Sequence, residues 1–264
     1  MELVGYFLSI LIGITLGLIG GGGSILTVPV LVYIFNEDAV TATSYSLFIV
    51  GITSLFGSLA YLKQGLVKIK TAVIFGIPSI ITVFITRLYV VPALPTEIFK
   101  LGNFLVTKNI LLMLVFALLM IAASYSMIKP LKEKSDLMIK KQSLNYPLIF
   151  IQGAMEGTLT GFVGAGGGFL IIPALVVLSK LPMKEAVGTS LVIISVKSLL
   201  GFYASSSVMQ VEWRLILSVS AFAILGIFIG MQLSNKIDGA KLKPAFGWFV
   251  LLMGVYIILR ESFF

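Results

Sequence analysis

The chain has 264 residues, 58% hydrophobic and 11% charged, with a formal net charge of +8. Soluble domains carry about 25% charged residues. With a mean hydropathy of +1.09, the composition reads as an all-α integral membrane protein, and it excludes a large soluble catalytic domain because no polar stretch exceeds about 20 residues. Cys and His both count 0, which excludes disulfides, thiolate or imidazole metal sites and Ser-His or Cys-His catalysis; no enzyme, metal or cofactor is expected.

About eight hydrophobic segments follow one another, at residues 3–35, 41–62, 71–91, 105–128, 148–179, 184–205, 213–233 and 245–260. Met1-Glu2-Leu3-Val4 lacks a basic leader, so no cleaved signal peptide is expected. The first segment is too long for one straight crossing. About 33 helical residues span roughly 50 Å, against a hydrocarbon core of about 30 Å. It contains Gly20-Gly21-Gly22-Gly23, and each glycine costs a helix about 1 kcal/mol relative to alanine. A break is predicted, with a second half-helix starting near Ser24. The fifth segment carries Gly164, Gly166, Gly167 and Gly168 and is predicted to break in the same way, into 148–163 and 168–179.

Thr43-Ser44 and Thr189-Ser190 follow the two broken segments, where they would cap helix N-termini or donate to an oxyanion. Arg87, late in the third segment, is expected to snorkel to the interface. Trp213, Trp248 and Tyr256 read as interfacial anchors or packing residues.

The one strongly polar stretch begins Lys129-Pro130-Leu131-Lys132-Glu133-Lys134-Ser135-Asp136. It divides the chain into a first membrane repeat (1–128), a basic cytoplasmic linker (129–146) and a second membrane repeat (147–264). The halves align at a constant offset of 144, from Gly20 and Gly164 through Ser46 and Ser190 to Lys70 and Arg214. Near 92–104 the first half holds about 11 additional residues. If each glycine run turns the chain back, every half makes an odd number of crossings and the repeats are inverted. With the N-terminus outside, Lys63, Lys68, Lys70, the five linker lysines, Lys180, Lys184, Lys236, Lys241 and Lys243 then all fall inside. Only Arg87, Lys100, Lys108, Arg214 and Arg260 fall outside. That bias agrees with the positive-inside rule and predicts a multi-pass protein of the cytoplasmic membrane, built as an inverted-repeat transporter is. Membrane lipids, not nucleic acid, are the expected partners of the basic charge.

A helix broken at membrane depth leaves backbone N–H groups that lipid cannot satisfy. At the start of the second half-helix they converge with the positive end of the helix dipole, a ready site for an anion. The candidate substrate site therefore comprises Gly22, Gly23 and Ser24 from one break and Gly166, Gly167 and Gly168 from the other. Ser46, Thr189 and Ser190 would add hydroxyl donors. Lys197, central in its segment, would supply charge to the anion or form a salt bridge with Glu156, itself the candidate for coupling to a proton. No Lys-Ser or Lys-Thr follows either glycine run, so neither is a P-loop.

The paired frames Gly-Gly-Gly-Gly-Ser-Ile-Leu-Thr-Val-Pro and Gly-Ala-Gly-Gly-Gly-Phe-Leu-Ile-Ile-Pro, each followed by a Thr-Ser helix, resemble the sulfite exporter TauE/SafE family of membrane permeases. The resemblance covers essentially the whole chain. It implies secondary-active transport of a small sulfur-containing or organic anion, such as sulfite or a sulfonate, coupled to an ion gradient. The alternative reading is a membrane assembly or interaction factor without a transport cycle; a homo-oligomer is compatible with both.

Overall fold

The computed structural model describes residues 2–101, 104–128, 146–177, 179, 181–207, 209–234 and 239–263. The linker residues 129–145 lie outside the described residues. The first half contains α1 (Glu2–Ile19), α2 (Ser24–Tyr33), α3 (Ala39–Lys63) and α4 (Ile69–Ile85). A π turn (Thr86–Val90) and the short α5 (Val91–Ala93) extend α4, and α6 (Lys108–Ile128) ends the half. The second half contains α7 (Tyr146–Val163), α8 (Gly168–Val177), α9 (Met183–Ser206), α10 (Trp213–Ser234) and α11 (Gly239–Phe263). The additional residues of the first half form an antiparallel hairpin, β1 (Glu97–Leu101) with β2 (Phe104–Thr107). Among the described residues the fold is therefore all-α apart from this insertion.

Five of the described helices are long and apolar enough to cross a membrane: α3, the continuous Ile69–Ala93, Lys108–Tyr125, α9 and α10. The chain is a multi-pass membrane protein by that measure. The two long first and fifth segments are broken where the glycines predict. α1 stops at Ile19 and α2 starts at Ser24; α7 stops at Val163 and α8 starts at Gly168. Gly20 and Gly164 adopt matching left-handed φ values of 77° and 71°, a conformation in which a Cβ is strained. Beyond the first break the chain doubles back. Gly23 lies against Ile12, Thr15 and Leu16 of α1, and Phe35 packs on Gly5.

The start of α3 is capped by Asp38, whose carboxylate accepts the N–H groups of Val40 and Thr41. α9 starts after Pro182 without a side-chain cap. Thr43-Ser44 and Thr189-Ser190 are thus inside their helices, not caps as the sequence predicts. The acidic cap was hidden because Asp38 lies just before the apolar run that marks the segment.

Helix packing pairs one half with the other. α1 packs on α10 and α4 on α7; α3 packs on α9 and α6 on α11. Small residues make the close crossings. Gly13 faces Ala223 and Ile227, while Gly17 faces Ile227 and Met231, so α1 and α10 run in the same direction. Gly153 against Phe75 and Gly157 against Ser79 give α7 and α4 the same relation. The equivalent helices α3 and α9 run in opposite directions: Phe48 meets Phe202 near one end, Gly51 meets Leu199, and Tyr61 meets Gly188 near the other. Exchange of the halves maps the α1–α10 pairing onto α7–α4, and maps α3–α9 and α6–α11 each onto itself.

At the centre the two breaks touch, backbone to backbone. A Cβ on Gly21 would lie 2.5 Å from the Gly168 Cα and carbonyl oxygen. A Cβ on Gly76, by contrast, would meet only Ile193, at an ordinary 3.7 Å. Gly21→Ala is expected to destabilise the folded protein by about 1–3 kcal/mol, the usual cost of overpacking. Gly76→Ala, inside α4, should be neutral or stabilising by up to about 1 kcal/mol. Thermal unfolding of both variants in detergent checks the contrast, and equal melting points would remove the close contact from the account.

Candidate functional site

The second break sits at the level of the middle of α3 and α9. Gly166 packs against Val50 of α3 and against Ile194 and Ser198 of α9. All of Gly20–Ser24 and Gly164–Gly168 is buried. In the first break the amides of Ser24, Ile25 and Leu26 are held in tight turns by the carbonyls of Gly21, Gly22 and Gly23. Those of Gly21, Gly22 and Gly23, and of Ala165, Gly166 and Gly167, donate to no acceptor among the described residues. Unsatisfied N–H groups at this depth are costly, so the pair of breaks is where a polar guest gains most. The predicted donors Gly22, Gly23, Gly166 and Gly167 belong to this set, and Gly168 makes the contact with Gly21.

The hydroxyls divide. Ser24 Oγ donates to the Gly21 carbonyl at 2.7 Å, which closes its own turn. Ser190 Oγ donates to the carbonyls of Val187 at 2.8 Å and Gly20 at 3.3 Å, tying α9 to the first break. Thr189 Oγ1 accepts the Lys68 N–H at 3.0 Å and holds the entry to α4, away from the glycines. Ser46 Oγ and Ser198 Oγ are buried without a partner among the described residues, which leaves both free to meet a guest.

Charge gathers at one break only. Lys197 is fully buried and pairs directly with Glu156, which is 4% exposed. Both oxygens of Glu156 are engaged: Thr160 Oγ1 donates to its Oε1 at 2.6 Å and Ser79 Oγ to its Oε2 at 2.7 Å. Lys197 Nζ also reaches Thr160 Oγ1 at 3.3 Å. The cluster borders Gly167, where an added Cβ would lie 2.7 Å from Lys197 Nζ and collide with Glu156. At the equivalent places around Gly23, the offset of 144 puts Ile12 for Glu156, Leu16 for Thr160 and Thr53 for Lys197. The glycine cradle is duplicated and the ion pair is not. Of the two roles predicted for Lys197, this conformation realises the pair with Glu156.

Arg87 is the residue that the sequence misplaces. It does not snorkel; it is 2% exposed. Its Nη1 donates to Thr43 Oγ1 at 3.0 Å and Ser44 Oγ at 3.1 Å, and Thr43 in turn packs on Gly164 of the second break. Its position late in an apolar run looks like a helix end. The available signal was the stripe Ser79, Val83, Arg87 at four-residue spacing, all buried on one face. A π turn at Thr86–Val90 carries Arg87. Trp213, Trp248 and Tyr256 are exposed, as anchors at an interface would be.

Removing one partner of a buried ion pair costs about 3–5 kcal/mol, whereas replacing both is often nearly neutral. Glu156→Gln and Lys197→Met should each lower unfolding stability by about that amount. The double variant should recover most of the loss in detergent-solubilised protein. A double variant no more stable than the weaker single one would show that Lys197 is held by something other than Glu156.

The family model described as Sulfite exporter TauE/SafE matches residues 6–257. A probable membrane transporter protein of Xylella fastidiosa is 27% identical over 95% of this chain and 92% of its own length. The probable membrane transporter protein YunE of Bacillus subtilis is 26% identical over 97% of both chains. A probable membrane transporter protein of Methanocaldococcus jannaschii is 31% identical over 42% of this chain and 44% of its own. No solved structure matches. With matched glycine breaks in a multi-pass helical fold and a family match from Tyr6 to Ile257, the chain belongs to the sulfite exporter TauE/SafE family of membrane transporters.

Proposed function

We propose that this protein is a secondary-active permease that moves a small sulfur-containing or organic anion, of the sulfite or sulfonate kind, across the cytoplasmic membrane. The observation that carries the reading is the meeting of two buried glycine breaks, Gly21 against Gly168, with six neighbouring amides left without a protein acceptor among the described residues. An anion between them receives N–H groups from Gly22, Gly23, Gly166 and Gly167. Ser46 and Ser198, buried and unpartnered, complete a cradle that is nearly all neutral donors. Such donors bind an oxyanion while leaving it able to depart, which a fixed opposing charge at every contact would prevent.

The repeats are inverted in this proposal, with the N-terminus outside. The opposite directions of the equivalent helices α3 and α9, and the shared direction of α1 with α10, support it. The two glycine hairpins then enter from opposite sides and meet near the midplane. Rocking of one repeat against the other, across the α3–α9 contact, exposes the cradle alternately. The Glu156–Lys197 pair beside Gly167 is the candidate coupling element: protonation of Glu156 frees Lys197 for the anion, and departure of the anion restores the pair. Ser24, Gly168, Thr189 and Ser190 position the breaks rather than touch the guest.

Two measurements test this. In proteoliposomes, labelled sulfite, sulfate, taurine and sulfoacetate should include at least one anion whose flux exceeds that of protein-free vesicles and responds to an imposed proton gradient. No excess flux for any of them would sink the permease reading. For topology, the chain has no native cysteine, so single cysteines report cleanly. Gln64→Cys, between α3 and α4, should react with a membrane-impermeant maleimide only after cells are opened. Gln210→Cys, between α9 and α10, should react in intact cells. The reverse pattern would invert the assigned orientation, and equal labelling of both from one side would abolish it.

A further inference from the structure

We infer that Arg87, set by Thr43 and Ser44 beside the second break, is a docking group for one small oxyanion, bound side-on through its Nε–H and Nη2–H. That the bound anion is also the transported one rests on the permease reading above; the binding itself does not.

The argument starts from an imbalance. Arg87 is 2% exposed and lies in a helix long and apolar enough to cross a membrane. Among the described residues no carboxylate stands within ion-pair distance of it; the ion pairs there are Lys68–Glu185 and Lys197–Glu156. A buried guanidinium stays charged, and an uncompensated buried charge is expensive. Glu156 and Lys197 cancel each other, so the interior near the second break retains one net positive charge. Lys108, at the start of α6, lies within electrostatic reach of both Arg87 and Asp38, whose carboxylate offsets it, so Arg87 remains the uncompensated charge. Asp38 is held at the start of α3, where it accepts the amides of Val40 and Thr41.

The unused donors have a particular shape. Nη1 is committed to Thr43 and Ser44, whereas Nε and Nη2 have no partner among the described residues. Those two atoms form one edge of the guanidinium, with N–H bonds that run parallel. This fork matches two oxygens of a carboxylate, sulfite or sulfonate, and a lysine cannot reproduce it. The hydroxyls of Thr43 and Ser44 spend their own protons on the Val40 carbonyl. They therefore accept from Arg87 and fix the plane of the fork.

The duplication supplies an internal comparison. At the offset of 144 the positions of Arg87, Thr43 and Ser44 are held by Met231, Val187 and Gly188. The fold accommodates an apolar version of this place, so packing alone does not call for the cation. Arg87 and the Glu156–Lys197 cluster both flank the second break, which makes that break the charged half of the pair.

The experiment is a thermal-unfolding titration of the full chain in detergent with sulfite, sulfate, phosphate and sulfoacetate, in a buffer otherwise free of oxyanions. The wild type should show saturable stabilisation by at least one of them. Arg87→Met, which copies Met231, should fold and melt at or above the wild type without anion, and should lose the anion response. Arg87→Lys, which keeps charge without the fork, should need about tenfold more anion or greater to reach half effect, a loss equal to one charge-assisted hydrogen bond. The inference is overturned if no anion stabilises the wild type, if Arg87→Met keeps a midpoint within twofold, or if Arg87→Met cannot fold. Flux separates the two ideas. Wild-type flux with KM unchanged in Arg87→Met refutes the role of Arg87 and leaves the permease intact. Arg87-dependent binding without flux does the opposite.

Discussion

A peptide group in hydrocarbon must find a partner, and this fold is organised around two places where it does not find one in its own helix. Both glycine runs end a helix inside the apolar interior, and both are buried. Lipid cannot hydrate the freed amides, so each break has to be covered by protein. The chain covers each break with the other. Gly21 lies on Gly168, and the long helices α3 and α9 pass alongside. The small residues elsewhere serve the same end. Gly13, Gly17, Gly153 and Gly157 let α1 and α7 approach α10 and α4 closely enough to hold the hairpins in place.

The duplication then divides labour. Backbone geometry is repeated, down to the matching φ of Gly20 and Gly164, because both hairpins have to turn. Side-chain chemistry is not repeated. Around Gly23 stand Ile12, Thr15 and Leu16; around Gly167 stand Glu156, Thr160 and Lys197. The two breaks therefore share a backbone geometry and differ in the charge beside them.

Much of this was legible in the sequence, and for physical reasons. Glycine runs inside segments too long to cross straight forced the breaks, to within a residue of Ile19 and Ser24. The offset of 144 paired Gly20 with Gly164, and both begin a break, because backbone turns constrain residue type strongly. Lys197 and Glu156 were recognisable as partners because a buried lysine in an apolar helix has few alternatives. Arg87 was not legible as a buried group. A basic residue near a helix end is usually drawn to water, and what keeps it inside is Thr43 and Ser44 on a helix more than forty residues away. Asp38 was missed as a cap for a related reason: hydropathy locates the apolar run, not the residue that closes its first turn. The β1–β2 hairpin fell in the stretch that the alignment of halves left over, where no periodicity marks a strand.

The exchange of partners between halves has a consequence for how such a chain is made. α1 starts at Glu2, yet the helix it packs against, α10, starts only at Trp213. Until then its glycine face has nothing to lie on. Truncation after α6 would leave α1 without α10 and α4 without α7, the neighbours against which each packs most closely.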